Sequence, residues 1–101
     1  MSDIIATEAE NEKRLQARVG DTVLIRLPES PTTGYRWTAL QGTPASDDFI
    51  SGSDAIGAGG VRVLRFRVKS PGAVTLELVL ARSWEKQAPA KRFKVELHVL
   101  E

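Results

Sequence analysis

Leu64-Arg65-Phe66-Arg67-Val68-Lys69-Ser70-Pro71-Gly72-Ala73-Val74-Thr75-Leu76-Glu77-Leu78-Val79-Leu80 decides the class of this fold. In its first half Leu64, Phe66 and Val68 alternate with Arg65, Arg67 and Lys69, and in its second half Val74, Leu76, Leu78 and Leu80 recur at every second position. Successive side chains of a strand point to opposite faces, so this period sets an apolar row against a core and a polar row toward solvent. Ser70-Pro71-Gly72 between the halves is turn chemistry. The stretch therefore predicts two strands joined by a tight turn.

The same alternation extends in both directions. Leu15, Ala17 and Val19 alternate with Arg14, Gln16 and Arg18, and Gly20-Asp21 turns the chain into Val23, Ile25 and Leu27. Pro28 has no N–H to give a ladder, so this strand is expected to stop there, with Glu29 to Gly34 as a loop. Tyr35 to Leu40 forms the next strand, with Tyr35, Trp37 and Ala39 on one face, Trp37 being a core residue. After the polar Gln41 to Asp48 segment, Phe49-Ile50-Ser51 makes a short strand. Toward the C-terminus Phe93, Val95, Leu97 and Val99 face inward, with Arg92, Lys94, Glu96 and His98 outward. Asp3 to Glu8 supplies a further segment for an edge. No stretch is better explained by helical spacing. Seven to eight short strands separated by turns predict an all-β fold, an immunoglobulin-like antiparallel β-sandwich.

A chain of 101 residues, 42% of them hydrophobic, can bury one modest core, which predicts a single domain over residues 1–101, with 1–12 as an edge strand or a flexible start. Fourteen basic residues against 13 acidic ones leave a net charge of +1, too weak a field to hold nucleic acid or an anionic membrane. Arg65, Arg67, Lys69, Arg92 and Lys94 are read as solvated outward positions, because no aromatics interleave with them for bases to stack on. With no cysteine there is no disulfide, thiolate metal site or thiol nucleophile. Asp47, Asp48 and Asp54 lack the ligand spacing of a calcium loop and are read as solvated turn residues. No cofactor is expected. His98 is the single histidine and lies mid-strand, so neither a serine triad nor any other enzyme site is expected. Met1 to Glu12 carries Asp3, Glu8, Glu10 and Glu12 and no basic residue, unlike a signal peptide. No apolar run approaches the roughly 20 residues that cross a bilayer as a helix. The compartment is left open: cytoplasmic as written, exported if a signal was removed.

Strands that alternate in direction sort their connections between the two ends of a sandwich. Glu29 to Gly34, Asp54 to Gly60 and Arg82 to Ala90 then emerge together at one end. A binding edge at that end follows from the same geometry that gathers the binding loops of antibody variable domains. Each loop also has a plainer reading. Ser30-Pro31-Thr32-Thr33-Gly34 is a stiff polar tip suited to a narrow cleft, or simply a rigid turn. Gly57-Ala58-Gly59-Gly60 offers bare backbone to another surface, or is a linker; it lacks the lysine and following helix of a phosphate loop. Arg82-Ser83-Trp84-Glu85 holds residue types enriched in interface hot spots, or its Trp84 caps the end of the sandwich.

Taken together and in order, Ser30-Pro31-Thr32-Thr33-Gly34-Tyr35, Gly57-Ala58-Gly59-Gly60 and Arg82-Ser83-Trp84 resemble the three motifs of the chagasin family: Asn-Pro-Thr-Thr-Gly-aromatic, Gly-x-Gly-Gly and Arg-Pro-Trp. Ser30 stands in place of the asparagine and Ser83 in place of the proline. The resemblance implies a monomeric, reversible inhibitor of papain-like cysteine peptidases that blocks the active-site cleft without being cleaved. It also implies the roles: Pro31, Thr32, Thr33 and Gly34 enter the cleft, Gly57, Ala58, Gly59 and Gly60 line one side with backbone, and Trp84, supported by Arg82, packs on the other. The alternative is an immunoglobulin-like interaction or adhesion module with a different protein partner, because the fold alone names no partner.

Overall fold

The structure is a computed structural model that describes residues 3–30, 34–51, 59–82 and 89–101. Eight strands follow one another: β1 (Asp3–Ala6), β2 (Arg14–Arg18), β3 (Thr22–Glu29), β4 (Arg36–Gln41), β5 (Ser46–Ser51), β6 (Gly60–Arg67), β7 (Gly72–Ala81) and β8 (Lys91–Leu100). They form two four-stranded sheets, ordered β1-β3-β6-β5 and β2-β8-β7-β4. Between β1 and β2 a short 3₁₀ turn, Glu8–Glu10, is capped by Thr7, whose hydroxyl accepts from the Ala9 N–H while Glu10 reaches back to the Thr7 N–H.

The period-two rows account for the core. Ile25, Leu27, Trp37, Leu64, Leu78, Phe93, Val23 and Val95 are its largest fully buried side chains, and all come from the predicted inward rows. Each such aliphatic or aromatic side chain, withdrawn from water, stabilises the fold by about 1.5–3 kcal/mol. Val19 and Val74, predicted inward, are instead 42% and 36% exposed; Val19 follows the last residue of β2, and Val74 lies in the exposed start of β7, before its buried stretch begins at Leu76.

Three sequence expectations need correction. The sandwich is not wholly antiparallel, since β1 pairs parallel to β3 and β2 parallel to β8. Neither pair is a hairpin, so no tight turn constrains it to run antiparallel. Pro28 does not end β3, which pairs with β6 as far as Glu29 opposite Gly60. β1 reaches only to Ala6 opposite Ile25, so Pro28 has no neighbouring strand on its other side. There its missing N–H costs the ladder nothing, and its carbonyl accepts from Trp37 Nε1 at 3.0 Å. Finally, Asp47 and Asp48 are not turn residues but belong to β5, which begins at Ser46 and pairs with β6 along its length. An edge strand with a solvated side needs little apolar alternation, which is why the polar Ser46-Asp47-Asp48 run escaped the pattern.

Candidate functional site

Strand direction brings the stems of the three motif loops to one end. In the first sheet Gly60 pairs with both Glu29 and Ser51, so the end of β3, the end of β5 and the start of β6 lie side by side. In the second sheet Arg36 pairs with Ala81 and Leu80 with Lys91, which places the start of β4, the end of β7 and the start of β8 together. The Ala90 N–H donates to the Leu80 carbonyl at 2.8 Å and closes the base of the third loop.

Within each sheet, a contact just past the last ladder pair continues the join between stems. Gly59 lies so close to the first loop that a Cβ on it would sit 3.2 Å from Ser30 Oγ and 3.4 Å from the Glu29 carbonyl. A side chain there would be tight, and the Ser30 hydroxyl would have to give by a few tenths of an ångström. Gly34, in the left-handed region at φ 80°, returns the first loop toward β4, a conformation open to glycine at little cost. Next to it, Tyr35 carries the guanidinium of Arg82 over its ring, 4.3 Å from the centroid. The first loop is thus in contact with the second at its beginning and with the third at its end.

Beneath this edge lies an ionic network that the sequence reading did not single out. The Glu29 side chain is only 1% exposed. Its Oε1 accepts from Arg62 Nη2 at 2.6 Å, and its Oε2 accepts from Arg62 Nε and from the Trp37 N–H, each at 3.0 Å. Arg62 Nη1 donates in turn to Asp47 Oδ1 at 3.1 Å, and Arg36 Nη2 to Asp47 Oδ2 at 3.1 Å. The guanidinium also lies 5.3 Å from the centroid of the Phe49 ring. Hydrogen bonding to Glu29 raises the pKa of Arg62 above its ordinary value, outweighing the lowering by burial, so the network holds a permanent cation. A signal for it existed. Glu29 continues the inward phase of Val23, Ile25 and Leu27, and Arg62 that of Leu64, Phe66 and Val68, so opposite charges stand on two inward rows.

Of the residues expected in the site, Gly34, Gly59, Gly60 and Arg82 are described and lie at this common edge. Pro31, Thr32, Thr33, Gly57, Ala58 and Trp84 lie outside the described residues. His98 sits exposed within β8, opposite Ala73 near the far end of β7. Among the described residues no group of three acidic, histidine or cysteine side chains could hold a metal.

Residues 16–99 match the family described as Chagasin family peptidase inhibitor I42. The chain belongs to the chagasin family. It is therefore a peptidase inhibitor and not an enzyme. Chagasin of Trypanosoma cruzi is 33% identical over 102 residues, which span 90% of this chain and 93% of that protein. The fold matches the crystal structure of the cysteine protease inhibitor EhICP2 from Entamoeba histolytica with a TM-score of 0.88 at 24% identity, covering 99% of this chain and 97% of that one. It also matches PbICP-C, solved in complex with falcipain-2, with a TM-score of 0.61 at 15% identity, covering 95% and 89% of the two chains. The family match spans β2 to β8 almost entirely, and so includes the stems of all three loops.

Proposed function

We propose that the protein is a reversible, competitive inhibitor of papain-like cysteine peptidases that closes the active-site cleft with three loops of one rigid domain and acts as a monomer. The observation that carries this reading is the convergence of the three loop stems: Glu29 opposite Gly60, Gly59 against Ser30, and Arg82 on Tyr35. A surface assembled from three loops can fill a cleft and both of its rims at once, and stems tied to one another leave little freedom to lose on binding.

Roles follow from the motifs. Pro31, Thr32, Thr33 and Gly34 enter the cleft, with the small threonine side chains occupying the space that a scissile peptide needs. Gly57 to Gly60 offer peptide-like backbone groups to one rim, because residues without bulky side chains let the main chain approach closely. Trp84 packs against the other rim, with Arg82 bracing the base of its loop. Inhibition needs no reacting group on this chain. The experiment is a titration of papain with the purified protein at several substrate concentrations, followed by mass analysis of the inhibitor. The expected outcome is an apparent inhibition constant that rises linearly with substrate, and an inhibitor recovered intact. Papain that stays fully active, or an inhibitor that is cut, would reject the proposal.

A further inference from the structure

The geometry points to Glu29 as a positioning residue for the inhibitory edge, a role that rests on the function proposed above: its buried carboxylate, gripped by Arg62, sets the spacing between the first two loops. The carboxylate lies at the junction of three strands. It belongs to the last residue of β3, and it accepts from Arg62 on β6 and from the backbone of Trp37 on β4. The bond to Trp37 closes the first loop into a ring from residue 29 to residue 37, and the Pro28 carbonyl closes the ring again through Trp37 Nε1. Because β3 and β4 lie in different sheets, this ring also fixes how far apart the sheets stand at the loop end.

The second loop is fastened to the same group. Arg62 follows Gly60 by two residues and holds Asp47 with its remaining nitrogen, so both strands that flank the second loop, β5 and β6, are bound to Glu29 through one guanidinium. Arg36 on β4 completes the circuit by donating to Asp47. Two carboxylates and two guanidinium groups therefore balance in charge across four strands.

Stability alone gives little reason for such a group. A buried ion pair contributes no more than well-packed apolar residues of similar size, since the cost of withdrawing both charges from water offsets their attraction. What it adds is direction. The side-on fork of an arginine donates to a carboxylate in a preferred, directional geometry, whereas apolar side chains can slide. The other ion pairs described here, Arg14 with Glu96, Arg65 with Asp48 and Lys91 with Glu8, are exposed, and none ties the stem of one motif loop to that of another. At Glu29 the pair sits on the two strands that adjoin Ser30 and Gly59, beside their close approach.

Two variants test the role against papain. Glu29→Gln keeps the size of the side chain and an oxygen for the Trp37 N–H, but turns a neutral amide toward Arg62. Its inhibition constant is expected to rise roughly tenfold, because loops that are no longer preorganised lose more freedom on binding. The double variant Glu29→Leu with Arg62→Leu removes both charges together. Its thermal midpoint is expected to fall by no more than the loss of the acceptor for the buried Trp37 N–H explains, while its inhibition stays weak under conditions where it is folded. That separation of folding from inhibition is the result a merely structural ion pair would not produce. A folded double variant that inhibits as tightly as the unaltered protein overturns the positioning role and leaves the proposed function standing. Unaltered protein that fails to inhibit papain overturns both.

Discussion

Arg82 lies over the ring of Tyr35 with its guanidinium carbon 4.3 Å from the ring centroid, so the residue that opens the third loop rests on the residue that closes the first. A cation over an aromatic face at a partly exposed site stabilises by about 0.5–1 kcal/mol. Tyr35→Phe keeps the ring face and is expected to preserve inhibition. Tyr35→Leu is expected to lose about that much stability and to inhibit several-fold more weakly. Paired melts and inhibition constants for the two variants check this, and equal inhibition by both would show that the stack does not support the third loop.

Gly59 gives a steric test of the gap between the first two loops. A valine there adds two methyls beyond a Cβ already 3.2 Å from Ser30 Oγ. The Ser30 side chain must give way, and where it cannot, overpacking of this kind costs about 1–3 kcal/mol. Gly59→Val is expected to weaken papain inhibition more than Gly59→Ala does, with the order read from titrations at a temperature where both variants remain folded.

Trp37 tests the fold beneath the site. It is 2% exposed, and its Nε1–H donates to the Pro28 carbonyl at 3.0 Å. Trp37→Phe fills most of the space but leaves that carbonyl without its donor, at a cost of about 1–3 kcal/mol. Chemical denaturation should show a lower midpoint with an unchanged slope.

If the first loop enters the cleft, charge and bulk at its tip must oppose binding without disturbing the sandwich. Replacing Thr32 and Thr33 together with glutamate is expected to abolish inhibition while the thermal midpoint moves little, since surface substitutions away from special features usually stay within about 0.5 kcal/mol. Undiminished inhibition by this variant would exclude the cleft-entering role.

Trp84→Ala addresses the third loop. Loss of an aromatic anchor from an interface acts mainly on dissociation. The dissociation rate from papain, followed by surface binding kinetics, should rise strongly while the association rate changes little. A variant that unfolds instead would assign Trp84 to capping the sandwich.

The sequence by itself determined the class of fold and the end at which the loops gather. Rows such as Phe93, Val95, Leu97 and Val99 are buried where alternation sets them, because a strand has only two faces and an apolar row must leave water. Alternating strand direction likewise requires the three motif loops to emerge together. Local chemistry was less able to say where strands end. Pro28 reads as a stop, yet it pairs with Val61 inside β3, because a strand that has lost one neighbour makes no demand on the missing N–H. Asp47 and Asp48 read as a solvated turn, yet they lie in an edge strand and face arginines.

Only the tertiary structure decided what lies under the loops. Glu29 and Arg62 are 33 residues apart, and although each continues an inward row, nothing along the chain says that they meet. Their meeting depends on the register that sets Glu29 opposite Gly60, and a slip of one residue would turn either side chain to the other face of its sheet. The braces between loops, Gly59 on Ser30 and Arg82 on Tyr35, arise in the same way. Period and turn chemistry act along the chain, whereas register and sheet packing fix distances across it, and a surface built from three loops is made of distances across the chain.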